Sequence, residues 1–279
     1  MGYFASYDGV ELAYRLVGDG TPLVCLPGGP GRAAEYLGDL GGLDSSRQLV
    51  LLDPRGVGRS SDPADSATFR VDRLVHDVEA LRTHLGLERM DLLAHSAGAN
   101  LATLYAAAYP ERISRLILVT PGLAAIGVDG DEDEFIAALE RAAAEPWYPA
   151  ARAALEKIFN GDLSTDAFRA SRPLFYGRWD NAARAHATVG VADRHMAARL
   201  GYFAEVNLDP SAIHSALTKL TAPVLLLVGE ADPMVTPAMA HAAARVFNDA
   251  KVVVQARAGH FPWVDDPAGF AAAINSFLG

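Results

Sequence analysis

The chain has 279 residues, 51% of them hydrophobic, with a formal net charge of −10 from 24 Lys and Arg against 34 Asp and Glu. That length and apolar fraction suit one large domain, or a core that carries an insertion. The acidity and the lack of any basic run exclude nucleic acid and an anionic membrane surface as partners.

The first residues, Met1 to Gly9, hold neither a basic segment nor the long apolar run of a secretory signal. No apolar stretch is long enough to span a bilayer, so a cytoplasmic protein with no membrane partner is expected. Residues 2–7 and 10–17 read as a hairpin around the turn dipeptide Asp8-Gly9. Thr21 to Leu26 is a short buried strand that runs into Pro27-Gly28-Gly29-Pro30-Gly31, which cannot be regular structure. The single cysteine, Cys25, lies inside that strand, where a buried inert thiol is expected, and it excludes an internal disulfide.

Arg47 to Leu52 is the next buried strand, ending in Asp53-Pro54-Arg55-Gly56-Val57-Gly58-Arg59-Ser60. Val71, Leu74, Val75, Val78, Leu81 and Leu85 then recur at helical spacing, and Gly86 closes that helix. Met90 to Ala94 and Ser114 to Thr120 are further strands. Alternating strands and helices predict an α/β fold with a doubly wound, mostly parallel sheet. After Gly122 that grammar stops for roughly a hundred residues and resumes at Ala222-Pro223-Val224-Leu225-Leu226-Leu227-Val228-Gly229. The acids Asp131 to Glu134 suit the positive end of a helix. Ala250 to Ala256 is the last strand and Asp266 to Leu278 the last helix. Residues 1–122 and 221–279 therefore read as the core, and 123–220 as an inserted helical cap. Most of the cap's aromatic residues should serve packing, and some should line a site beneath it.

The strand from Met90 ends in Ala94-His95-Ser96-Ala97-Gly98, followed at once by the helix-forming run Leu101 to Ala108, which Pro110 stops. Strand, sharp turn and helix with a serine at the tip make a nucleophile elbow, where the flanking side chains must be tiny. Alanine replaces the first glycine of the usual G-x-S-x-G pattern. Serine needs a base and a group that orients the base, in the chain order serine, acid, histidine. Of the later histidines, His186, His195 and His214 fall in the insertion and His241 in a helix. His260 follows the last strand, in a loop at the carboxyl end of the sheet where such folds place their chemistry. The acid is expected in Gly229-Glu230-Ala231-Asp232-Pro233, with Asp232 past the strand end and Glu230 as the alternative. The oxyanion of acyl transfer needs backbone N–H donors, one from Ala97 and one from the Gly28-Gly29 stretch. His95 should point away from the serine and be structural. No His, Cys, Asp and Glu cluster has metal-ligand spacing and no Gly-Lys-Ser/Thr follows the glycines, so no metal or cofactor is expected.

These residues resemble the α/β-hydrolases, and among them the proline iminopeptidase (prolyl aminopeptidase) group. Pro27-Gly28-Gly29-Pro30-Gly31 is similar to the group's His-Gly-Gly-Pro-Gly, and Asp53 to Ser60 to its Asp-Gln-Arg-Gly-x-Gly-x-Ser. The resemblance implies an α/β-hydrolase fold and assigns the second oxyanion donor to Gly29. It departs at Pro27, where the group has histidine, and at the elbow, which usually reads Gly-Gly-Ser-Trp-Gly. It also implies a glutamate that holds a substrate's free amine, for which Glu205 is the candidate. The expected function is that of a serine hydrolase with Ser96, His260 and Asp232, acting on short peptides as an aminopeptidase. An esterase, lactonase or carbon–carbon hydrolase on a small molecule is the alternative, with a ligand-binding protein of little turnover as a third.

Overall fold

The computed structural model describes residues 1–190, 195–204 and 206–279. In chain order the core begins with strands β1 (Gly2–Ala5), β2 (Glu11–Val17), β3 (Pro22–Leu26) and β4 (Gln48–Leu52). Helix α1 (Val71–His84), strand β5 (Met90–His95), helix α2 (Gly98–Ala108) and strand β6 (Ile113–Val119) follow. Among the described residues, six α-helices come before the next strand: α3 (Glu132–Glu140), α4 (Tyr148–Phe159), α5 (Thr165–Ser171), α6 (Asn181–Thr188), α7 (Met196–Gly201) and α8 (Pro210–Leu217). The chain ends with β7 (Val224–Gly229), α9 (Pro237–Ala244), β8 (Ala250–Gln255), α10 (Pro262–Asp265) and α11 (Pro267–Leu278).

The strands make one sheet in the order β1-β2-β4-β3-β5-β6-β7-β8. β1 and β2 form the hairpin and join β4 antiparallel, and every pairing from β4 to β8 is parallel. Crossover helices cover both faces, so the middle strands are buried apolar runs with no polar alternation. Period-two geometry then sends neighbours to opposite faces. Val24 and Leu26 join a core with Leu74, Val78, Ala102 and Tyr105 from α1 and α2. Leu23 and Cys25 join the other core, with Phe270 and Ile274 of α11. Cys25 is fully buried, and burial pushes its thiol far above the usual range, which keeps it unreactive.

The insertion between β6 and β7 is helical. Asp131 caps α3 by accepting the Glu134 N–H, and Glu132, Asp133 and Glu134 fill the first turn, where the helix dipole favours acids. α8 contributes Ile213 and Leu217 to the same core as α2. No helix among the described residues is long and apolar enough to cross a membrane.

The stretch from Asp53 to Ser60 is scaffolding. Arg55 is fully buried and bridges Asp77 of α1 to Asp8 of the first turn. Asp53 accepts the Ala34 N–H at 2.9 Å, and Ser60 ties the Asp53 carbonyl to the Ala13 N–H. These contacts fix the loop after β4 and, through Ala34, the segment that follows the glycine-rich loop.

Candidate active site

β5 delivers Ser96 to the carboxyl edge of the sheet. Its backbone lies in the left-handed region at φ 52°, held there by three hydrogen bonds. Ser96 N–H donates to the Val119 carbonyl at 3.0 Å, and its own carbonyl accepts from Gly122 at 2.8 Å and Ala99 at 2.9 Å. The turn also needs space. A Cβ on Gly98 would lie 2.4 Å from the Pro27 carbonyl, and one on Gly28 would lie 2.7 Å from the Ser96 Cβ. Ala94, in place of the first glycine, is fully buried in the larger core, where its methyl packs.

Three side chains from separate loops meet there in series. Ser96 Oγ lies 2.9 Å from His260 Nε2, and His260 Nδ1 lies 2.8 Å from Asp232 Oδ2. Asp232 follows β7, is 1% exposed, and accepts the Met234 N–H at 2.9 Å through its other oxygen. A carboxylate at Asp232 accepts the Nδ1 proton, which leaves Nε2 free to accept from Ser96. His260 is held from behind by its N–H, which donates to the Phe175 carbonyl of the insertion at 2.8 Å. Glu230 instead sits on the surface and accepts the Arg257 N–H at 2.9 Å, away from the histidine.

The other histidines have separate duties. His214 bonds the Ile126 carbonyl, His195 lies 3.1 Å from Asp62, and His241 is exposed on α9. His95 is 2% exposed, and burial, with His260 nearby, pushes it well below the usual histidine range. It is therefore neutral. Its Nε2 proton goes to the His260 carbonyl at 2.9 Å, and Nδ1 accepts the Tyr36 hydroxyl at 2.7 Å. Tyr36 Oη in turn accepts the Gly28 N–H at 2.7 Å. One neutral imidazole thus ties the glycine-rich loop to the His260 loop. Tyr36 is a site residue that sequence reasoning missed; it follows closely on the glycine-rich motif, but nothing in the sequence joins it to His95, 59 residues on.

Gly28 already has a partner for its amide. Gly29, the next residue, is exposed on the cleft that also contains Ser96 and His260. Ala97 is half-exposed and starts the first turn of α2. Glu205 lies outside the described residues. Among the described residues no group of three His, Cys, Asp or Glu side chains could hold a metal ion.

The cleft has a volume of about 250 Å³, and its roof comes from the insertion, with Phe159 and Phe168 from α4 and α5 and then Phe175 and Tyr176. α6 docks this roof onto the core. His186 donates from Nε2 to the Tyr36 carbonyl at 2.8 Å and accepts the Tyr176 hydroxyl at Nδ1, 2.7 Å away. Burial lowers His186 from 6.5 to about 4. The unfolded chain takes up this proton below pH 6.5, and the folded chain resists until about pH 4. Its contribution to stability is therefore complete above pH 6.5 and is lost as pH falls towards 4. Urea unfolding of His186→Gln should show a shallower loss of stability across that window than the parent, by at most about 1.4 kcal/mol per pH unit. Parallel curves for the two proteins would remove His186 from the docking account.

Residues 21–267 match the family described as alpha/beta hydrolase fold. The chain belongs to the α/β-hydrolase fold family. Within it, the chain is similar to a proline iminopeptidase of Heyndrickxia coagulans, 25% identical over 272 residues, which is 94% of this chain and 91% of that protein. A proline iminopeptidase of Lactiplantibacillus plantarum is 39% identical over 121 residues, 41% of this chain and 42% of the relative. Among solved structures, an esterase from Rhodococcus sp. has a TM-score of 0.74 at 24% identity, covering 99% of this chain and 98% of that one. An esterase from Exiguobacterium antarcticum has a TM-score of 0.75 at 19% identity, covering 100% and 99%. At those identities the structural likenesses show the α/β-hydrolase fold alone.

Proposed function

We propose that the protein is a serine hydrolase that forms an acyl-enzyme, with Ser96 as nucleophile, His260 as base and Asp232 as the acid that orients it. The observation that carries this reading is the hydrogen-bond series Ser96 Oγ, His260 Nε2, His260 Nδ1, Asp232 Oδ2, with both gaps under 3 Å. Ser96 attacks the substrate carbonyl as His260 takes its proton, and Asp232 stabilises the imidazolium. The N–H groups of Gly29 and Ala97 receive the oxyanion, and the N-terminus of α2 adds its dipole there. His260 then protonates the leaving group, and water releases the acid by the same steps in reverse.

Residues 123–220 act in this reading as a lid over the core formed by 1–122 and 221–279, and the substrate is a small molecule or short peptide. Likeness to proline iminopeptidases along nearly the whole chain supports a second, narrower reading as an aminopeptidase, with Glu205 as the group for the substrate amine. Rapid labelling by a fluorophosphonate, with the adduct mapped to the peptide that contains Ser96, is the expected result for a serine hydrolase. No adduct at Ser96 under conditions that label a control hydrolase would overturn it.

A further inference from the structure

The cleft beside Ser96 contains three arginines, Arg32, Arg172 and Arg199, and not one acid among its described lining residues. The buried arginine of the core is instead met by acids, Arg55 by Asp77 and Asp8, and Arg82 on the side of α1 is met by Glu79. In the cleft no described carboxylate lies within ion-pair distance of any of the three.

Arg172 is the barest. It is 7% exposed, its Nε is wholly buried without a partner, and no described residue accepts a hydrogen bond from its guanidinium. Arg32 is 5% exposed. It stacks 3.7 Å from the centre of the Tyr36 ring and donates once, to the Val189 carbonyl at 3.0 Å, while its Nε also has no partner. Arg199 donates to the Gly29 carbonyl at 2.9 Å and lies over Phe168 at 5.0 Å.

A guanidinium keeps its charge in proteins, and a buried charge without a counter-charge is strongly disfavoured. Ring faces and backbone carbonyls offset part of this, but they leave most of the donors idle. Burial pulls Arg32 down to about 10, with Arg172 repelling it, and burial lowers Arg172 as well, with Arg169 repelling it. A carboxylate matches the planar fork of a guanidinium with paired, charge-assisted hydrogen bonds. An ammonium entering the same space would meet three cations.

We propose that this cleft recognises a substrate carrying a free carboxylate, held by Arg172 with Arg32 and Arg199 beside it while Ser96 attacks the scissile carbonyl. The proposal rests on the serine-hydrolase reading for its chemistry, and on the arginines alone for its specificity. It favours a small ester with a carboxylate over a substrate whose only charge is an N-terminal ammonium.

Two matched pairs of esters test it. One pair puts the charge in the acyl part: mono-p-nitrophenyl adipate against its methyl ester. The other puts it in the leaving group: 4-carboxyphenyl butyrate against 4-carbamoylphenyl butyrate. In at least one pair the anion should be preferred by about tenfold or more in kcat/KM, and prolyl p-nitroanilide should be a poorer substrate than that anion. Arg172→Met should cut the preference ratio by about tenfold, and Arg172→Lys should restore part of it. Equal rates in both pairs, or a ratio unchanged in Arg172→Met, would overturn the proposal. A readout without catalysis protects the test if Arg172→Met fails to fold or no ester turns over. Calorimetry on Ser96→Ala protein should find the anion binding more tightly by a similar factor in at least one of two pairs, monomethyl against dimethyl adipate or 4-carboxyphenyl against 4-carbamoylphenyl butyrate, and equal binding in both would again overturn it. Absence of turnover and of fluorophosphonate labelling would sink the nucleophile assignment, while the calorimetric ratio still decides the carboxylate site.

Discussion

Ser96→Ala is expected to fold like the parent and to lose turnover by on the order of 10⁶-fold, about 8 kcal/mol of barrier. The size follows from the proposed chemistry. The nucleophile and its base act as one unit, and nothing else among the described residues presents a hydroxyl to His260 Nε2. Stability should not change, because alanine meets the same left-handed backbone as serine, at φ 52°. Ser96→Gly separates the two properties further. Glycine adopts that conformation without penalty, so this variant should lose activity equally and gain about 1 kcal/mol of stability. Paired measurements of turnover and of urea unfolding check both claims. Retention of most activity in Ser96→Ala would move the nucleophile elsewhere.

The elbow was legible because it is local. Met90 to Ala94, the small residues beside Ser96 and the helix after Gly98 are one continuous pattern, set by sterics within a few residues. The sheet was legible for a similar reason: strands buried on both faces leave apolar runs, and Gly122 and Ala222 bracket the region where such runs stop. Strand order singled out the loops of Asp232 and His260, because each follows a strand whose carboxyl end faces the same edge, but it left Glu230 as an alternative to Asp232. The links between loops were not legible. His95 bonds Tyr36, 59 residues away, and the backbone of His260, 165 residues away, and no spacing rule joins such positions. Arg32, Arg172 and Arg199 likewise look like ordinary surface cations in a chain with 24 Lys and Arg. Only the folded chain brings them to one cleft, where no described acid meets them. Arg55 shows the reverse case. Its motif was visible, but its scaffolding duty depends on Asp77 in α1, which the motif does not include. Glu205, chosen through the family resemblance, lies outside the described residues.

Asp232→Asn is expected to slow turnover by about 10⁴-fold while leaving the fold intact, and the surroundings of the carboxylate say why. Its Oδ1 accepts the Met234 N–H at 2.9 Å, and its Oδ2 faces His260 Nδ1 at 2.8 Å. In the amide the carbonyl oxygen must stay on the Met234 side, because an NH₂ group there would confront a donor. The NH₂ group is then turned towards Nδ1, which has to become the acceptor. The imidazole proton moves to Nε2, where it points at the Ser96 hydroxyl and blocks the base. The side chain is fully buried and nearly isosteric, so packing is unchanged and the loss lies in the tautomer. Glu230→Gln should leave the rate within about twofold, because that side chain is exposed and serves the Arg257 N–H. Steady-state kinetics of both variants, on the best substrate of the ester and amide panel, decide between the two acids. An unchanged rate in Asp232→Asn with a large loss in Glu230→Gln would reassign the orienting group. Comparable losses in both, with lowered thermal stability, would trace the effect to disruption of the loop after β7.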